Sequence, residues 1–74
     1  MSLKRVGLKV SYDLENRFHE KRPVEWLSWE TNIARSALRE IMAGRSNPKF
    51  LTLLAISEAF EYDCLSEFLE EALR

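Results

Sequence analysis

Four positions that interrupt regular structure divide this chain into short segments. Pro23 ends one segment and is well placed at the start of a helix. Asn32 can adopt the left-handed backbone conformation of a tight turn, and Gly44 can end a helix. Pro48 closes a polar loop. Because the segments between these breaks carry apolar residues mainly at helical spacing, the chain is expected to fold into short helices joined by short loops.

The apolar spacing predicts five helices in a single domain over residues 1–74. The first helix contains Leu14 and Phe18 and is capped by Ser11 or Asp13. The other four are expected at residues 24–30, 34–43, 50–60 and 64–73. Residues 3–10 alternate in part between apolar and polar side chains, which indicates a short strand or an ordered arm within residues 1–10. The expected fold is all-α, with this N-terminal strand or arm attached.

Composition excludes several classes of protein. A single cysteine, Cys64, excludes an internal disulfide framework and predicts either a reduced, intracellular thiol or a buried small apolar residue near a helix start. No apolar run approaches the roughly 20 residues of a membrane helix, and no signal-peptide core follows the N-terminus. We therefore expect a globular, cytoplasmic chain with no membrane partner.

The chain also lacks the side chains that catalysis and metal binding require. His19 is the only histidine and Cys64 the only cysteine, so a metal site or a thiol nucleophile has no partners. His19 is predicted on a helix surface. Glu70 and Glu71 fit a solvated acidic face, and no glycine-rich loop could cradle a phosphate. The prediction is a protein that is not an enzyme and has no cofactor, no catalytic residues and no metal.

Charge is distributed unevenly, although the net charge is only −1. Residues 1–22 and residues 31–50 each carry a net +3, whereas residues 51–74 carry −5. Such a chain can present a basic surface to phosphates while its acidic end faces away. The same charges could equally solvate helix faces, so charge alone does not settle the function.

The most informative stretch is the helix pair over residues 24–43. Two short helices separated by a three-residue turn hold the second helix clear of the body, where it can enter the major groove of B-DNA, about 12 Å wide. Its inward side is predicted to be Ala37, Leu38 and Ile41. Its outward side is predicted to be Arg35, Ser36, Arg39 and Glu40.

Residues 31–48, with the sequence TNIARSALREIMAGRSNP, resemble the Xre/Cro family of repressor-like helix-turn-helix domains. Residues 50–60 are similar to the fourth helix of that family, and the segment from Asp63 to Leu69 resembles the usual close of the domain. The resemblance covers residues 14–69. It implies a compact five-helix, lambda-repressor-like domain that binds double-stranded DNA as a transcriptional regulator.

The resemblance also implies roles for individual residues. Arg35 and Ser36 match the first base-contacting positions, and Glu40 matches a later one. Arg39 lies between them, where it would contact a phosphate or a second base. Arginine can bind guanine bidentately, whereas Glu40 can accept from cytosine or pair with an arginine on the same helix. The residues that match the phosphate-contacting loop after the recognition helix are Arg45, Ser46 and Lys49.

Three kinds of departure from the family pattern are present. Val24 stands where a glutamine often clamps the DNA backbone. Asn32 replaces the turn glycine, and Glu61 replaces a glycine after the fourth helix, where it would need either a strained left-handed conformation or a different helix ending. Trp26 and Trp29 replace polar residues of the second helix, so at least one of them should be partly exposed.

A short recognition helix makes few contacts, so a homodimer on a pseudo-palindromic operator is expected. The predicted dimer surface lies on the last helix and comprises Leu65, Phe68, Leu69 and Leu73. Pairing of residues 3–10 as an edge strand is the alternative. A different functional class also stays open, in which the domain is a protein-binding module, such as an antitoxin-type partner, with weak or no DNA binding.

Overall fold

Five helices form the whole regular structure of residues 3–74, the part of the chain that the computed structural model describes. They are α1 (Leu3–Asn16), α2 (Val24–Thr31), α3 (Arg35–Met42), α4 (Phe50–Ala59) and α5 (Leu65–Ala72). Helix α1 packs on α3 and α5, α2 packs on α3 and α4, and α4 packs on α5. Residues 3–74 contain no strand, so the all-α prediction is confirmed.

The predicted N-terminal strand or arm is wrong, because residues 3–10 form the first turns of α1. Val6, Val10 and Leu14 follow one another at helical spacing and are all buried. Leu8 lies between two of them and is exposed, which produced the partial alternation seen in the sequence. Pairing of residues 3–10 as an edge strand between two copies is therefore also wrong. Residues 1 and 2 of that predicted arm lie outside the described residues.

The predicted start and end of the first helix are wrong for the same reason. Ser11 and Asp13 lie inside α1 and do not cap it. Phe18 lies beyond the helix end at Asn16 and packs edge-on against Trp26, with ring centroids 5.2 Å apart. Phe18 thus packs against the core from the connection between α1 and α2, and not from a helix.

Two glycines set the crossing of α1 over the C-terminal end of α3. A Cβ atom on Gly7 would lie 2.4 Å from the Ile41 carbonyl oxygen and 2.6 Å from that of Met42, so the two backbones touch there. Gly44 follows α3 with a φ of 76°, as the predicted helix stop requires, and a Cβ there would lie 3.1 Å from the Cα of Lys4. The first turn of α1 therefore lies against the loop that follows α3.

The core is built from apolar side chains of all five helices and of the α4–α5 connection. Its largest fully buried members are Phe60 and Phe68. The other buried apolar residues are Val6, Val10, Leu14, Leu27, Leu38, Ile41, Leu53, Ile56, Tyr62 and Ala72. Their burial is the main driving force that holds these short helices together, because isolated helices of this length are marginal in water.

A polar network joins α1 to α5 and to the α4–α5 connection. The buried carboxylate of Asp13 lies 3.0 Å from the Lys9 ammonium and accepts a 2.6 Å hydrogen bond from the Tyr62 hydroxyl. Lys9 also donates to Glu71 at 2.8 Å, and the Arg17 guanidinium lies 3.6 Å from the centre of the Tyr62 ring. Every polar group of this network thus has a partner, as buried polar groups require.

The network shifts the pKa values of three of its members. Burial alone would lower the pKa of Lys9, but its hydrogen bonds to Glu71, Tyr62 and Asp13 outweigh burial and raise it. Burial, together with the hydrogen bond to Asp13, raises the pKa of the Tyr62 phenol. The hydrogen bond from Lys9 lowers the pKa of Glu71. The folded protein therefore favours a charged lysine and a neutral tyrosine.

Candidate functional site

The turn between α2 and α3 consists of residues 32–34, one position later than predicted. Asn32 has a φ of 59°, which confirms the predicted left-handed turn. Its backbone N–H donates to the Ser28 carbonyl at 2.8 Å, and the Ser28 hydroxyl donates to the Ile33 carbonyl at 2.6 Å. The Thr31 hydroxyl donates to the Leu27 carbonyl at 2.7 Å. Side chains of α2 thus fix the direction in which α3 leaves the turn.

Helix α3 is covered on one side only. Leu38 and Ile41 are buried, while the predicted outward residues are exposed. These outward residues are Arg35, Ser36, Arg39 and Glu40. Ala37, which was predicted to point inward, is exposed, so that prediction is wrong. The reason is that α1 crosses only the C-terminal end of α3, which leaves residues 34–37 open to solvent.

Two arginines of this open surface share one acidic partner. An oxygen of the Glu25 carboxylate, on α2, lies 3.5 Å from Nη1 of Arg35 and 3.8 Å from Nη2 of Arg39. All three side chains remain about half exposed. Nothing in the sequence indicated a role for Glu25. Its contact with α3 arises only when α2 and α3 pack together, and no regular spacing along the chain indicates it.

The loop after α3 adds a second group of charged residues. Arg45 donates to the Glu40 carboxylate at 2.6 Å, so Glu40 pairs with an arginine of the loop and not with one on its own helix. Lys49 is exposed, and Ser46 is half-buried. The residues predicted to contact phosphate therefore lie directly beyond the C-terminal end of α3.

Lys4 is a basic residue of this edge that sequence reasoning did not assign. It is exposed, and its Cα lies against Gly44, the residue that precedes Arg45. Lys4 forms no ion pair with any of residues 3–74. The only sign of Lys4 in the sequence was the net positive charge of residues 1–22. Because residues 3–10 were predicted as a strand or arm and not as a helix, that charge could not be placed next to the loop after α3.

The two tryptophans of α2 differ sharply in environment. Trp26 is half-buried and packs against Phe18 and Phe60, with ring centroids 5.2 and 6.1 Å away. Trp29 is 90% exposed and borders a shallow groove with Glu25. The prediction that at least one tryptophan is exposed is confirmed.

The predicted dimer surface on α5 is only partly available. Phe68 is fully buried and packs edge-on against Tyr62, so its assignment to the surface is wrong. Leu65 and Leu69 are half-buried against the core, and Leu73 is exposed. The exposed side chains of Leu8 and Tyr12 on α1 border a groove that α5 completes. One open apolar surface is therefore shared by α1 and α5, while Phe50 and Leu51 at the start of α4 are also exposed.

The remaining single residues lie away from this surface. His19 is exposed in the connection after α1, not on a helix as predicted. Cys64 precedes the first residue of α5, as predicted, and its thiol lies 3.0 Å from the Ser66 hydroxyl. Because Cys64 is exposed, the alternative of a buried small apolar residue is wrong. Within residues 3–74, no three His, Cys, Asp or Glu side chains gather in a way that could hold a metal ion.

Comparisons of the chain with protein-family models, with curated proteins and with solved structures give no match. None of the helices described for residues 3–74 is both long and apolar enough to cross a membrane.

Proposed function

We propose that this protein binds double-stranded DNA sequence-specifically, as a small regulator of transcription of the Xre/Cro type. The observation that carries the proposal is the open N-terminal half of α3, which follows a hydrogen-bonded three-residue turn and exposes Arg35. An α-helix with its side chains is about 10–12 Å in diameter, which fits the major groove, about 12 Å wide. The positive end of the helix dipole enters the groove first.

Arg35 and Arg39 have the chemistry and spacing for reading base edges. They are one helical turn apart, which places their Cβ atoms about 5–6 Å from each other on one face. Each guanidinium can donate two parallel hydrogen bonds to N7 and O6 of a guanine. Ser36 can add a hydrogen bond on the same side, while Glu40, if released from Arg45, can accept from cytosine.

Phosphate contacts are proposed for the edge formed by the α3–α4 loop and the start of α1. Arg45, Ser46 and Lys49 supply the loop contacts, and Lys4 lies beside them. Contacts of this kind fix the register of the protein on the duplex and carry affinity without sequence preference. The acidic C-terminal segment would then face away from the DNA.

Alanine at Arg35 should abolish most of the sequence preference while the fold is retained. The side chain is exposed and the bidentate contact with guanine supplies about 1–3 kcal/mol, so operator affinity should fall by about 5- to 150-fold. Fluorescence anisotropy with selected and scrambled duplexes measures the effect, and Lys21→Ala is a control on another exposed basic residue. Operator affinity equal to that of the wild type would contradict the placement of α3 in the groove.

Lys49→Ala and Lys4→Ala should each weaken binding to every duplex by a similar factor, because both lysines are exposed and neither forms an ion pair with any of residues 3–74. One lost phosphate contact makes the slope of log affinity against log salt shallower by about one. A salt series on specific and scrambled duplexes provides the measurement, again with Lys21→Ala as the control. A loss confined to one sequence would show that the altered residue reads bases and not phosphate.

The regulator is proposed to act as a homodimer through the open apolar surface of α1 and α5. Leu73 and Leu8 lie on this surface, so Leu73→Glu or Leu8→Glu should shift the protein to a monomer and weaken operator binding. Sedimentation equilibrium with and without operator DNA measures this shift, with Leu51→Glu as a control at another exposed leucine. A wild-type protein that stays monomeric at high micromolar concentration on its operator would contradict the dimer.

A second candidate function is a protein-binding module of the antitoxin kind. The observation that favours it is Trp29, a large aromatic side chain that is 90% exposed beside the acidic residues Glu25 and Glu30. Exposed aromatic side chains often act as anchors at protein interfaces. Lack of binding to any duplex at low salt would favour this function over the first.

A further inference from the structure

We propose that Glu25 is a specificity-determining residue that positions Arg35 and Arg39 for base readout. This inference rests on the proposed DNA-binding function and assigns Glu25 a role within the same surface. Glu25 itself touches no base in this arrangement, because it acts through the two arginines. It is thus a positioning residue.

The geometry that supports the proposal is a single carboxylate shared by two guanidinium groups. Oε2 of Glu25 lies 3.5 Å from Arg35 and 3.8 Å from Arg39. The two arginines are four residues apart on α3, so without an acid between them their like charges repel. Within residues 3–74, Glu25 is the one acidic residue that forms an ion pair with either of them.

Stability of the fold does not account for this arrangement. Ion pairs between side chains that are about half exposed contribute little to folding, because water and salt screen them. The cluster nevertheless bridges α2 and α3 at the surface where bases would be read. Its larger effect is therefore expected on the orientation of the arginines.

Orientation and charge act in different ways on DNA binding. An arginine that is already held in place loses less conformational freedom when it binds guanine, which favours the correct sequence. The negative charge of Glu25, in contrast, weakens the attraction of the surface to any duplex. Only the first effect raises the ratio of specific to non-specific affinity, because the second acts equally on every duplex.

Glu30 provides a matched control for the charge. It is exposed on the same helix and forms no ion pair with any of residues 3–74. Glu25→Gln and Glu30→Gln remove the same charge from α2, whereas only Glu25→Gln releases Arg35 and Arg39. A difference between the two variants thus isolates positioning from charge.

The test measures the affinity of the wild type and both variants for the duplex selected by the wild type and for a scrambled duplex. Glu25→Gln should lower the ratio of the two affinities by about tenfold. A loss of this size lies within the discrimination that one bidentate contact with guanine supplies. Glu30→Gln should keep the wild-type ratio, and both variants should bind the scrambled duplex slightly more tightly. Thermal unfolding should be nearly the same for all three proteins.

Two results would overturn the inference and leave the proposed function intact. One is a Glu25→Gln variant with the wild-type affinity ratio, and the other is an equal loss of that ratio in Glu30→Gln. A wild type that binds no duplex, or binds all duplexes equally, would contradict sequence-specific binding itself, and the inference with it.

Discussion

Replacing Gly7 with alanine should destabilise the protein by about 3 kcal/mol, which is the upper part of the range for overpacking. The new Cβ would lie 2.4 Å from the carbonyl oxygen of Ile41 and 2.6 Å from that of Met42. Both are backbone atoms at the end of α3, so neither can turn aside as a side chain would. Helix α1 must move away from α3, which also separates Val6 and Val10 from the core.

The sign of this effect distinguishes packing from helix propensity. In an exposed helix, alanine is more stable than glycine by about 1 kcal/mol, so propensity alone predicts a more stable variant. Urea unfolding followed by circular dichroism gives the free energy of unfolding, with Lys4→Ala as a control at an exposed position of the same helix. Lys4→Ala should change the free energy of unfolding by less than about 0.5 kcal/mol. A Gly7→Ala variant as stable as the wild type would contradict the close crossing of α1 and α3.

Replacing Asp13 with alanine should cost about 3 kcal/mol, because it breaks a buried ion pair from one side. The carboxylate is almost completely buried, and its loss leaves Lys9 and the Tyr62 hydroxyl with only the more exposed carboxylate of Glu71 as a shared partner. Asp13→Asn should cost less, since the amide can still accept from Tyr62. Glu15→Ala is the control, because Glu15 is an exposed acid on the same helix. Equal stability of Asp13→Ala and Glu15→Ala would show that the network does not stabilise the fold.

The same network should make stability sensitive to alkaline pH. The pKa values of Lys9 and Tyr62 are raised in the folded protein, so the unfolded chain releases these protons first as pH rises above about 10. Stability falls with pH wherever the unfolded state binds fewer protons, so the free energy of unfolding should decrease there. Asp13→Ala should show a shallower decrease over the same range, because Asp13 contributes to both shifts. Parallel curves for the two proteins would contradict this assignment.

Local signals in the sequence predicted much of the fold. The left-handed turn at Asn32 and the helix stop at Gly44 are properties of single residues, and both are confirmed. Helices α2 to α5 follow from apolar spacing, with ends that differ from the predicted ones by one residue. The N-terminal part of α1, over residues 3–10, was missed because Gly7 and two β-branched valines lower its helix propensity, while the exposed Leu8 gives a strand-like alternation.

Tertiary packing determined the features that the sequence did not reveal. Ala37 is exposed because α1 covers only one end of α3, and Phe68 is buried because Tyr62 packs on it. The exposure of Arg35 was predicted from its position on α3. Its pairing with Glu25 was not predicted, since ten positions and a turn separate the two residues along the chain.

Selection of bound DNA from a random-sequence duplex pool, followed by binding of the selected duplex across a salt series, tests the central claim most directly. Sequence-specific binding predicts enrichment of one two-fold-symmetric site, with affinity that falls steeply as salt rises. The enriched site should no longer be preferred by Arg35→Ala. Absence of binding to any duplex, even at low salt, would contradict the claim and would direct attention to a protein partner at Trp29.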